Sequence, residues 1–378
     1  MSTPIPLGLY IHIPWCIQKC PYCDFNSHAV KDDFPEAVYV DALLMDLNQD
    51  LELLVKPKPV QSIFIGGGTP SLFAPESLHR LLEGVRQKIP FSGDVEITLE
   101  ANPGTFESGK FADFKALGIN RLSIGIQSFQ DKHLKRLGRV HNAREAMAAI
   151  EMAQQAGFDN INLDLMFGLP EQTEAEALAD IETALSFKTT HLSYYQLTLE
   201  PNTLFYRYPP PLPEHDALYL IQKSCQQRLM AAGFQHYEIS AYSQPGKECQ
   251  HNLNYWRFGD YLGIGAGAHG KISRQLPGDI IRTLKAKNPR QYLSQDSLRS
   301  IQNIVDEELP LEFMMNQLRL KQGFEWVDFQ QRTGLPASRL EPALSHCVEQ
   351  GLLAIEQQRV FCTAKGWDFL DAILERFV

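Results

Sequence analysis

The sequence predicts an α/β fold: a curved, partly open (β/α)6 barrel with a small carboxy-terminal helical, winged-helix-like domain. From Leu7 to about Tyr242, short β-rich runs alternate with longer amphipathic stretches, the rhythm of strands and helices around a parallel sheet. The rhythm supplies six βα units, too few to close an eight-fold ring, so the barrel is expected to stay open. After Tyr242 the alternation stops, and beyond about Asp306 helices and turns end in a candidate hairpin, Leu352–Ala354 against Arg359–Phe361.

Aliphatic and β-branched runs bounded by turn residues place strands at Leu7–Ile13, Ser62–Ile65, Val95–Leu99, Arg121–Ile126, Asn160–Leu165 and His191–Leu197. Apolar residues three and four apart place helices at Pro35–Leu54, Pro75–Lys88, Ser108–Leu117, Ala143–Ala156, Thr173–Ser186 and Glu214–Ala232. Three regions follow: a barrel over 1–242, a connecting region over 243–305, and a helical domain over 306–378.

In such barrels the chemistry gathers at the carboxyl ends of the strands. The first strand leads into Cys16–Cys23 and the second into Gly66-Gly67-Gly68-Thr69-Pro70; Glu100, Gln127, Asp164 and Gln196 are expected to close the other four. Any one polar strand end serves solubility. Six on one rim point to a site.

With 378 residues, 44% of them hydrophobic, the chain can bury a large core. A formal charge of −10 argues against nucleic acid as partner, because phosphate binding needs a basic stripe. No stretch approaches the roughly 20 apolar residues that span a bilayer. A cytoplasmic protein is expected, with peripheral membrane contact left open.

Cys16, Cys20 and Cys23 stand at C-x3-C-x2-C spacing. Three thiolates so close suit one 4Fe-4S cube, leaving its fourth iron without a local protein ligand. A structural zinc site would need a fourth ligand, and the nearest is His28. A disulfide framework fits poorly with seven cysteines in so long a chain and no signal peptide ahead of them. Cys225, Cys249, Cys347 and Cys362 read as ordinary single thiols. The glycine loop lets backbone approach a ligand closely, its amides meeting a carboxylate or amine, and it lacks the Lys-Ser/Thr ending of a phosphate loop.

Together these motifs resemble the radical SAM superfamily. The run Tyr10–Cys16, the glycine loop, Glu100-Ala101-Asn102-Pro103, Gly125–Phe129 and Asp164–Pro170 are similar to the oxygen-independent coproporphyrinogen III oxidase family over essentially the whole chain. The resemblance implies a cluster on Cys16, Cys20 and Cys23. It also implies S-adenosylmethionine contacts from Tyr10, Tyr22, Gly67, Gly68, Thr69, Glu100, Gln127, Arg139 and Asp164.

Two departures point away from oxidase activity. Phe25 stands where the oxidases carry a further cysteine, and the amino-terminal extension of the oxidases is missing. Both match the HemW-type haem chaperones, in which haem is cargo for respiratory haem proteins and cluster-dependent homodimers are expected. His251-Asn252-Leu253-Asn254-Tyr255-Trp256 matches the H-N-x-x-Y-W motif of that family. An imidazole is a common haem ligand, and two aromatic rings offer area for a porphyrin face. His251 is therefore the expected haem residue, Cys249 its rival, and His269 is read as structural. Radical decarboxylation of coproporphyrinogen III is the competing activity.

Overall fold

The computed structural model describes residues 5–30, 35–104, 109–294 and 299–378. Its main sheet has twelve strands among those residues. The strands of the βα units are β1 (Leu7–Ile13), β2 (Val60–Gly67), β3 (Phe91–Ala101), β4 (Arg121–Gln127), β5 (Ile161–Phe167) and β6 (His191–Gln196). They lie side by side and parallel in that order. The main helices between them are α1 (Glu36–Leu51), α2 (Pro75–Lys88), α3 (Phe111–Ala116), α4 (Ala143–Gln155) and α5 (Glu174–Ser186), with α6 (His215–Ala231) after β6. The predicted start of α3, Ser108, lies outside the described residues.

Local chemistry sets these boundaries. Asn142 and Thr173 cap α4 and α5 in reciprocal boxes with Glu145 and Glu176. Pro75 opens α2, where the missing N–H costs nothing, and Leu78, Leu81, Leu82 and Val85 form its buried stripe. Successive strand residues point to opposite faces. Leu9, Ile11, Ile63, Ile65, Ile97, Leu99, Leu122, Ile124, Leu163 and Leu165 pack in the main hydrophobic core. The alternate residues turn inward and are polar: Ser62, Glu96, Thr98, Ser123, Asn162 and His191.

The sheet continues past the predicted barrel at both edges. After β6, β7 (Gln235–Glu238) and β8 (Ala241–Ser243) add antiparallel strands in the order β6-β8-β7. On the other side, α7 (Gln250–Trp256) leads into β9 (Asp260–Ile264), which pairs parallel to β1. Then β10 (His269–Gln275), β11 (Asp279–Lys285) and β12 (Arg299–Ile304) extend it antiparallel. The region 243–305, expected to be a connection, thus contributes β9 to β12 to the sheet. Of these strands only β9 pairs with β1; β10, β11 and β12 complete their hydrogen bonding in series beyond it, through partners that local sequence does not reveal.

A buried cluster ties this extension down. Lys285 donates to Asp46 and, at 2.7 Å, to Asp50; Arg299 reaches Asp50 at 3.0 Å, and the Tyr292 hydroxyl donates to Asp46 at 2.8 Å. Beyond it, α8 (Leu309–Gln317), α9 (Trp326–Thr333) and α10 (Ala343–Glu349) precede the antiparallel hairpin β13 (Leu353–Glu356) and β14 (Arg359–Cys362). Their core around Phe313, Phe324 and Phe329 also takes in Phe258, Ile280 and Ile304, which seats this region against the sheet. Among the described residues no helix is long and apolar enough to cross a membrane.

Candidate functional site

The site is built in tiers inside the open barrel. Lowest, α7 fills the interior beneath the strand ends. The buried Cys249 thiol donates to Glu96 at 3.6 Å, and the His251 amide meets the same carboxylate at 3.2 Å. Burial pushes that thiol up to about 12, so Cys249 is an inert neutral group. His251 is 1% exposed: Nδ1 lies 3.0 Å from the Ser62 hydroxyl and Nε2 2.9 Å from the Tyr255 hydroxyl. Its ring packs on Phe64 with centroids 5.2 Å apart. Burial, then Arg121, lowers its pKa to about 3, so the ring is neutral, with both nitrogens engaged. In the structure this ring holds Tyr255 in place.

Above it lies the glycine loop. Gly67 has φ +114°, and a β-carbon there would come within 2.5 Å of the His12 ring, so only glycine fits. The loop amides are already spent. Gly67 N–H donates to Glu100 Oε2 at 2.9 Å, Gly68 to Ile13 O and Thr69 to Trp15 O, both at 2.7 Å. This corrects the expectation that they meet a ligand: the loop presents the Glu100 carboxylate, an acceptor suited to an ammonium group. Burial raises Glu100 to about 7, the Gly67 N–H opposes the shift, and Asp164 adds to it. Asp164 itself lies mid-strand rather than closing β5, held by Ser123 at 3.0 Å and Asn162 at 2.8 Å. Desolvation raises it too.

The rim carries the thiols. Cys16, Cys20 and Cys23 are free and half-buried. Among the described residues no three His, Cys, Asp or Glu side chains gather as they would around one metal ion. Ligands of a cube sit differently, each thiolate on its own iron corner. Arg139 Nη1 points at Cys20 Sγ from 3.7 Å, while Nη2 donates to Asn102 Oδ1 at 2.6 Å and Gly125 O at 2.9 Å. Asn102 in turn donates to Thr69 Oγ1 at 2.7 Å. This chain joins the glycine loop to the thiol loop through Asn102, for which the sequence alone predicts no role. Its signal was the Asn that follows Glu100 by two. Tyr22 lies tilted against Phe205 with centroids 6.3 Å apart, and burial raises the pKa of its hydroxyl.

Two buried atoms here lack protein partners: Gln127 Oε1 and Arg139 Nε. Gln127 also holds φ +63°, an uncommon conformation for its type. Orphaned polar atoms beside a cradle that excludes any β-carbon fit a polar ligand bound against the strand ends. Tyr10, His12, Gly67 and Glu100 form one end of a cavity of about 830 Å³. Phe25, Tyr255, Trp256 and His269 line it further out, and α8 contributes Glu312, Met315 and Asn316.

Fold, rim thiols and glycine cradle define a radical SAM protein, and the radical SAM superfamily model matches residues 10–184, with the HemN C-terminal domain model matching 305–369. The chain is 50% identical over 374 residues to the haem chaperone HemW of Escherichia coli, covering 99% of this chain and 98% of that one. It is 48% identical to HemW of Haemophilus influenzae over 376 residues, again 99% and 98%. The chain belongs to the HemW haem chaperone family. The solved coproporphyrinogen III oxidase HemN of Escherichia coli shares the fold, with TM-score 0.81 and 23% identity over 99% of this chain and 90% of that one.

Proposed function

We propose that this chain binds haem in the cavity above the barrel and passes it to respiratory haem proteins. A 4Fe-4S cluster on Cys16, Cys20 and Cys23 would sit at the rim. S-adenosylmethionine would be held by Tyr10, Tyr22, Glu100, Gln127, Arg139 and Asp164, with Gly67, Gly68 and Thr69 lying close against it without donating their amides. When bound, that pair supplies one-electron chemistry. The chain's own part is to seat the ammonium at Glu100, to keep Arg139 against Cys20, and to fix both through Asn102. The observation that carries the reading is the cavity itself, where the cofactor end opens onto an aromatic wall with Phe25 exposed at its edge. A porphyrin is a flat apolar disc, and rings are what it packs against. Regions 1–242 and 306–378 contribute the two sides of that cavity, with 243–305 between them.

The test is an anaerobic titration of cluster-reconstituted protein with haem, followed by transfer to an apo respiratory haem protein. Saturable binding and transfer are expected. If haem does not bind, and coproporphyrinogen III is decarboxylated in the presence of S-adenosylmethionine and reductant, the oxidase reading replaces this one.

A further inference from the structure

Three histidines border the cavity or its wall, and their nitrogens are not equally free. His12 is 5% exposed, with Nδ1 2.9 Å from the Tyr10 hydroxyl and Nε2 2.9 Å from Asn26 O. His251 lies behind Tyr255 with both nitrogens hydrogen bonded. His269 heads β10, lines the cavity and is exposed. Among the described residues neither of its ring nitrogens has a hydrogen-bond partner. A metal ligand needs one nitrogen lone pair directed into open space. Only His269 among the three offers it.

The surroundings suit an amphipathic disc. In the β10/β11 ladder His269 pairs with Leu284 and Lys271 with Arg282, so the period of two puts His269, Lys271 and Arg282 on one face. Tyr261, opposite Lys271 on β9, joins them. Tyr255 meets Tyr261 edge-on with centroids 4.4 Å apart, and Trp256 follows with its ring under Arg319 at 4.3 Å. The cations divide into spent and available ones. Lys271 is buried against Asp260 at 3.2 Å and the carbonyls of Phe258 and Gly259. Arg282 bridges Tyr261 and Glu312. Lys287 is exposed at the cavity, and both Arg282 and Lys287 act electrostatically on His269.

We propose that His269 is the axial ligand to haem iron in this cavity, with Lys287 receiving a propionate. This rests on the haem-binding reading above and replaces His251 as ligand. His251 instead holds the Tyr255 ring against the porphyrin.

The experiment titrates hemin into full-length wild type, His269→Ala and His251→Ala, reading the Soret band and the spin state by electron paramagnetic resonance. For His269→Ala, loss of the imidazole-ligated spectrum and an affinity fall of about tenfold or more are expected, and added imidazole should restore the spectrum. That rescue shows the cavity is still formed. His251→Ala should keep the imidazole signature. Lys287→Ala should weaken hemin several-fold and leave its dimethyl ester unaffected. A wild-type spectrum in His269→Ala overturns the assignment while the chaperone reading stands. So does loss of the signature in His251→Ala alone. A wild type that binds no hemin overturns both.

Discussion

Replacing Glu100 with glutamine tests the electrostatics of the cradle most directly. Burial holds this carboxyl at about 7 against an ordinary 4.5, so the folded protein favours the neutral form. Stability is unaffected by this group below about pH 4.5, and it falls as pH rises towards 7, where folding must accept a buried charge. At about 1.36 kcal/mol per unit, the interval from 4.5 to about 7 amounts to about 3 kcal/mol. Glutamine keeps an oxygen for the Gly67 N–H and carries no charge. Cofactor-free Glu100→Gln should therefore match wild type near pH 4.5 and exceed it by about 3 kcal/mol at pH 8. Urea unfolding of both proteins at the two pH values measures the difference. A gap that does not change with pH refutes the argument. The same variant should bind S-adenosylmethionine at least tenfold more weakly, because the ammonium loses its counter-charge.

Lys285→Met leaves the Asp46 and Asp50 carboxylates buried without their lysine, which should cost about 3–5 kcal/mol in thermal unfolding. A loss under about 1 kcal/mol would show that the cluster is not structural. Gly67→Ala forces a β-carbon into the His12 ring at positive φ and should destabilise by about 2 kcal/mol or more, with S-adenosylmethionine binding lost in isothermal titration. Asn102→Ala breaks both links of the Thr69–Asn102–Arg139 chain, and a cost of about 2 kcal/mol in denaturant unfolding is expected. Serine at Cys16, Cys20 or Cys23 should each abolish the charge-transfer absorbance and iron content of reconstituted protein, whereas Cys249→Ser should keep both.

The three rim thiols, the glycine loop and the six strands were readable because each depends on neighbours in sequence. Three cysteines within eight residues need no distant partner to be recognised. An aliphatic run such as Leu7–Ile13 is a buried strand wherever it packs. Pairing of β9 with β1 was invisible for the opposite reason: Asp260–Ile264 looks like a loop until the edge of β1 supplies its hydrogen bonds.

Histidine roles divide along the same line. Spacing marked His251 as a member of a motif, but a ligand is defined by which nitrogen is free, and that is set by Ser62, nearly two hundred residues away in sequence, and by Tyr255. His269 carries no flanking signal, and its place on the cavity face follows from the register of β10 against β11. The sequence by itself determined the donor atoms and the six alternating strands and helices of the barrel, which are local. Only the tertiary structure decided which donors are spent within the protein and which face a ligand, because hydrogen-bond satisfaction is settled by packing across the chain.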